Sequence, residues 1–232
     1  MSTEAKQPEV VAKSTEEQLI ERGQNFWSKY SKLIVGAIAA LVLVVGGYFA
    51  YTNLVQKPAI EKANEAIWRS QQNFKTDSFK LALNGNPAQK GDIGFLKVIK
   101  DHSGTPAGNL AKYYAGICYL HLGDFNNAVK YLEDFKAGDD QLRLLATGSL
   151  GDAYAELGKA DKAYESYKTA TTAFVSDDFN TAEYLYRLAQ LYDKNGKTKE
   201  AIEAFTRLKN EFPTSNRSFE ADKYLGKLGE TK

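Results

Sequence analysis

The sequence predicts an all-α protein: a single N-terminal transmembrane helix, then a solenoid of repeated helical hairpins, then a C-terminal capping helix. Three observations carry this. Leu33 to Tyr51 run for 19 positions without a charged side chain. From Pro58 onward the apolar residues recur at helical spacing, and no run alternates as a strand would; Val98-Ile99 and Phe174-Val175 are too short to suggest one. Between Gly116 and Phe205 one pattern of small and aromatic residues occurs three times.

The span comes first. At 1.5 Å per residue, 19 helical residues cover about 28 Å, and extension to Val55 gives about 34 Å, against a hydrocarbon core of about 30 Å. Ten residues (Leu33, Ile34, Val35, Ile38, Leu41, Val42, Leu43, Val44, Val45 and Phe49) each favour insertion by roughly 0.3 to 0.6 kcal/mol, roughly 3 to 6 in sum. Trp27 and Tyr30 before the span, and Tyr48 and Tyr51 near its end, stand where aromatic belts form, with Lys29, Lys32 and Lys57 outside them. The domain boundaries that follow are a leader over 1–32, partly disordered because its first 18 residues hold few large apolar side chains, and a transmembrane helix over 33–55. The leader exceeds a signal-peptide n-region, and Ala37-Ile38-Ala39 lies inside the apolar run, so an uncleaved anchor is expected. Arg22, Lys29 and Lys32 before the span are diluted by Glu16, Glu17 and Glu21, while Lys57, Lys62 and Arg69 follow it, so charge leaves orientation open. Gly36, Ala40, Gly46 and Gly47 give the helix small positions against which another membrane helix can pack.

Thirty basic and 29 acidic residues nearly cancel with no basic cluster, which argues against nucleic acid as a partner. Cys118 is the sole cysteine, so no disulfide framework is expected.

The repeats are read from three segments. Gly116, Tyr119 and Gly123 recur as Gly151, Tyr154 and Gly158, then as Ala189, Tyr192 and Gly196, at offsets of 35 and 38 residues. Five residues after each last glycine stands Ala128, Ala163 or Ala201, and four further on Leu132, Tyr167 or Phe205. Small residues at 116, 151 and 189 let two helices of a hairpin approach, and the later glycines suit a left-handed helix end. From Gly108 to Pro213 this spacing resembles the tetratricopeptide repeat, which implies a superhelix of antiparallel helix pairs. Lys112 and Thr147 stand where that pattern favours a bulky aromatic, and Val175 to Thr181 lengthens the turn before the third unit.

Ahead of the repeats, 56–107 reads as a linker helix, with Ala63, Ala66, Ile67, Ser70 and Phe74 on one face, followed by a degenerate first repeat. That repeat holds a turn-rich loop from Asn84 to Asp92 and a short helix near Ile93 to Lys100. Three repeats occupy 108–213, and 214–232 forms a capping helix and tail. One anchor, three or four repeats and a cap in about this length resembles the YfgM-type ancillary subunits of the bacterial Sec translocon. That resemblance implies a single-pass protein of the inner membrane, with a cytoplasmic N-terminus and a periplasmic repeat domain. Its implied partners are Sec channel subunits, a membrane-anchored periplasmic chaperone of the PpiD type, nascent secreted chains and membrane lipid. Two other readings stay open: an envelope-assembly scaffold, and a cytosol-facing import or targeting receptor.

The repeat resemblance also implies a partner groove on the first helix of each pair. Its positions here are Tyr113, Ile117, Leu120 and His121; Asp152, Ala155 and Glu156; and Tyr186, Gln190 and Asp193. The groove lacks a repeated Lys and Arg clamp for a terminal carboxylate. Cys118 and His121 share a helix face but no second ligand pair accompanies them, so a core thiol beside a surface imidazole is expected, with no metal or other cofactor. Asp139-Asp140 and Asp177-Asp178 fall where Asp caps a following helix. No nucleophile with a base and no phosphate-cradling loop is present, so a binding module is expected in place of an enzyme.

Overall fold

A computed structural model of the chain describes residues 14–174 and 177–229; it divides into two compact units, residues 1–57 and 58–232. Among the described residues the secondary structure is entirely helical.

The first unit is built on helix α1, Thr15–Tyr51, followed by a π-helical turn over Thr52–Gln56. α1 starts earlier than composition suggested because Ser14 and Glu17 form a capping box: the Glu17 amide donates to Ser14 Oγ at 3.3 Å, and the Ser14 amide to Glu17 Oε2 at 3.0 Å. The expected disorder of the leader otherwise falls on residues 1–13, outside the described residues. At 1.5 Å per residue, 37 residues make a rod of about 55 Å. No residue of α1 is buried by protein, and Leu33 and Leu43 are 70% and 75% exposed, so the helix is long and apolar enough to cross a bilayer. Gly36, Ala40, Gly46 and Gly47 all lie on its exposed surface. The π-turn has a local chemistry. Pro58 has no N–H to donate to the helical ladder, while Thr52 Oγ1 and Asn53 Nδ2 donate to the carbonyls of Tyr48 and Phe49 at 2.9 and 2.8 Å.

The second unit begins with α2 (Lys57–Lys75), α3 (Phe79–Asn84) and α4 (Gly94–Asp101). α2 buries Ala63, Ile67 and Ser70, with Ala66 and Phe74 partly covered, which is the face expected of it. α3 was not foreseen; one and a half turns are too few to display a period. Three antiparallel hairpins follow: α5 (Pro106–His121) with α6 (Phe125–Asp134), α7 (Asp140–Glu156) with α8 (Ala160–Ala173), and α9 (Asp178–Lys194) with α10 (Thr198–Glu211). α11 (Asn216–Lys227) packs on α10 and α9 as the cap. Side-chain caps define the starts: Thr105, Asp124, Asp139, Asp177 and Ser215 each accept an amide of the first turn. Val175 and Ser176, in the lengthened turn before α9, lie outside the described residues.

The repeat positions act as their chemistry demands. Gly123, Gly158 and Gly196 have φ of +75°, +69° and +71°, so a side chain there would be strained. A Cβ on Gly116 would come within 2.6 Å of Leu132 Cγ, and one on Gly151 within 2.6 Å of Tyr167 Cδ1, so each small residue makes room for the bulky partner of its own hairpin. Ala128, Ala163 and Ala201 are fully buried at the crossings.

Two apolar cores result. One, from α2 to α5, is filled by Ile67, Leu83, Phe95, Val98 and Cys118. The other, from α7 to α11, is rich in tyrosine and holds Leu144, Leu185, Phe205 and Leu208.

Candidate functional site

The first helices of the hairpins carry the ten predicted groove residues, and the structure sorts them into five on one cleft, three covered by α11, and two, Tyr113 and Ile117, half-buried on α5. Leu120 and His121 of α5 meet Asp152, Ala155 and Glu156 of α7 around a cleft of about 490 Å³, with Phe125, Tyr167 and Arg187 completing its walls. Leu120 and Ala155 are half-buried and supply apolar surface; His121 and Glu156 are exposed. His121 stacks on Phe79 with centroids 4.3 Å apart and planes within 4°. The neighbouring Cys118 is fully buried, and burial pushes its thiol up to about 12, which leaves it a packing residue.

Asp152 forms the floor. Its Oδ1 accepts from Tyr167 Oη at 2.7 Å and its Oδ2 from Arg187 Nη1 at 2.6 Å. Burial raises the carboxyl above its ordinary value, and Arg187 and Tyr167 pull against that rise. Tyr167 is raised in turn by burial and by the adjacent carboxylate, so it stays a neutral donor. Burial opposes the charge on Arg187, yet Asp152 and Glu183 outweigh it and raise its pKa. Glu156, exposed at the cleft, enters no such network among the described residues.

The second group is spoken for. Tyr186, expected to face a partner, is only 5% exposed. Its hydroxyl donates to Glu220 Oε2 at 2.5 Å and accepts from Gln190 Nε2 at 3.0 Å, while its ring packs on Phe205 and Tyr224. Gln190 also reaches Tyr224 Oη at 3.0 Å, and Asp193 takes Lys227 at 3.3 Å. Helix α11 therefore occupies this end of the groove. Tyr113 is half-buried between Tyr114 and Phe135, at centroid distances of 5.4 and 5.6 Å, and Ile117 is half-buried one turn before His121. Missed by the sequence reading were Arg187, Tyr167 and Phe125. Arg187 lies 35 residues after Asp152, three short of the 38-residue offset between those copies, so the repeat spacing gave no signal for it.

With this geometry in place, comparison with protein families is informative. Residues 110–137 and 142–208 match models of the tetratricopeptide repeat. These hairpins are tetratricopeptide repeats. Repeats of this kind bind protein partners, and the chain accordingly carries the architecture of a protein–protein interaction adaptor. No match was found among curated proteins.

Proposed function

We propose that the protein is a membrane-anchored adaptor that holds a polypeptide partner in the cleft between α5 and α7. The observation that carries this is the convergence of five groove residues, Leu120, His121, Asp152, Ala155 and Glu156, on one open cleft. A lining of mixed apolar, acidic and basic side chains suits an extended or helical segment that buries one or two apolar side chains. The apolar α1 supports attachment to a membrane, which confines the cleft to a thin layer and raises the effective concentration of any partner held there.

In the fuller proposal that layer is the periplasmic side of the bacterial inner membrane, beside the Sec translocon. The partners are then channel subunits, a PpiD-type chaperone or nascent secreted chains. The reasons are the order of anchor, linker helix, repeats and cap in one chain.

The test is mass spectrometry of the complex purified through a C-terminal tag in mild detergent after brief crosslinking. Sec channel subunits and a periplasmic isomerase-like chaperone, lost on Leu120→Ser with Glu156→Gln, are the expected result. Envelope-assembly factors in their place would move the role to the scaffold reading, and cytosolic targeting factors would reverse the topology.

A further inference from the structure

A second cleft, of about 540 Å³, opens between the start of α9, the end of α10 and the turn into α11, and shares no lining residue with the α5–α7 cleft. Its apolar wall is unusual. Phe179, in the first turn of α9, is 79% exposed, whereas Tyr184, Tyr186 and Tyr192 of the same helix are all at most 7% exposed. Phe212 and Pro213 continue that wall, with Phe212 itself buried. The rim is acidic: Asp178, Glu183, Glu211 and Glu220 face a single cation, Arg217.

That cation is already committed. Arg217 bonds Glu183 at 2.5 Å and Glu220 at 3.0 Å and lies over the Tyr186 ring at 4.6 Å. Arg187 serves both Glu183 and Asp152, and Arg207 pairs with Glu211 at 2.9 Å. Four carboxylates line this cleft, and Arg217, Arg187 and Arg207 pair with Glu183, Glu220 and Glu211, so among the described residues Asp178 is the one carboxylate of the four with no cationic partner, next in sequence to the exposed Phe179 ring. A Lys or Arg side chain from outside satisfies both features. It can lie against the face of Phe179 beside Asp178, while an adjoining apolar residue covers the exposed Pro213.

We propose that this cleft is a second docking site, which takes a polypeptide segment presenting a basic side chain next to an apolar one. Charge complementarity sets the sign of the partner and Phe179 supplies the contact surface. A partner long enough to engage both clefts would gain from linkage.

The experiment uses the full chain in detergent and three fluorescent peptides of equal length: alternating Leu and Arg, alternating Leu and Glu, and alternating Gly and Arg. Fluorescence anisotropy is expected to show binding of the Leu/Arg peptide above both others. Binding should weaken about five-fold or more in Phe179→Ala and in Asp178→Asn, and fall as salt rises from about 0.05 to 0.5 M. Both side chains are exposed, so neither variant should alter the helical circular dichroism. Equal binding by the variants, no preference for Leu/Arg, or loss of binding only in Leu120→Ser with Glu156→Gln would each overturn the assignment. The last result would place the peptide in the α5–α7 cleft and leave the proposal for that cleft standing.

Discussion

The junction between the first and second repeats and the junctions that follow it are built from the same helix positions but closed differently. α7 to α9 and α9 to α11 are joined by side-chain pairs 34 or 35 residues apart: Asp152 with Arg187, Glu183 with Arg217, Tyr186 with Glu220, Gln190 with Tyr224 and Asp193 with Lys227. Among the described residues no such pair joins α5 to α7; that junction is held from the side, where Tyr154 of α7 donates to Glu133 of α6. A repeat array can offer a partner only those first-helix side chains that its neighbours leave uncommitted. At the α5–α7 junction Asp152 is tied to Arg187, but Leu120, Ala155 and Glu156 carry no such pair among the described residues, so this junction is the binding candidate and the closed ones stabilise the stack.

The largest expected effects come from breaking the cores on either side of that divide. Phe205→Ala, in the tyrosine-rich core, and Phe95→Ala, in the α2–α5 core, each empty a fully buried site and should cost about 3 to 5 kcal/mol in urea unfolding. If neighbours alone are coupled, Phe95→Ala should leave the α9–α11 pairs protected in hydrogen exchange while Phe205→Ala exposes them.

Next is overpacking. Gly151→Ala drives a Cβ into the Tyr167 ring and should cost about 1 to 3 kcal/mol, read as a lower melting temperature. It would also displace the hydroxyl that anchors Asp152, and so damage the open cleft.

A smaller effect depends on pH. Burial works against the charge on Glu183, but Arg217 and Arg187 outweigh it and hold the carboxyl below the ordinary carboxylate range. A depressed carboxyl stabilises the fold above its unfolded pKa, and that contribution disappears as pH falls below about 4.3. Asp152 is raised by burial and has the opposite sign, easing folding as it protonates. Between roughly pH 5 and 3 the urea midpoint of the native chain should fall more steeply than that of Glu183→Gln, because the closed junction loses its acid anchor.

The smallest stability change belongs to the open junction. Glu156→Gln, at an exposed side chain, should shift stability by about 0.5 kcal/mol or less, and Leu120→Ser, at a half-buried one, by about 1 kcal/mol. Their effect should appear in partner capture, and a large loss of stability would mean that this junction is structural as well.

The repeats were legible because their grammar is local. A glycine that ends a helix, a small residue three positions before a tyrosine, and an alanine at a crossing each act within one hairpin, so spacing alone revealed them. The early start of α1 was also written in the chain, as Ser14 followed by Glu17, but the polar composition of the leader masked it. Tyr186 is the instructive failure. Its counterparts in the first two copies are Tyr113, half-buried, and Gly148, buried, and the docking of α11 adds Glu220 as the partner of its hydroxyl. Availability at a groove depends on what the next repeat covers, and no single helix encodes that.

The most direct test places a photoreactive residue at Glu156 in one variant and at Gln190 in another, irradiates native membranes, and compares the adducts on gels. Strong partner adducts from position 156, and few or none from position 190, are the expected result. Equal adducts from both positions, or adducts from 190 alone, would contradict the assignment of the open α5–α7 junction as the binding face.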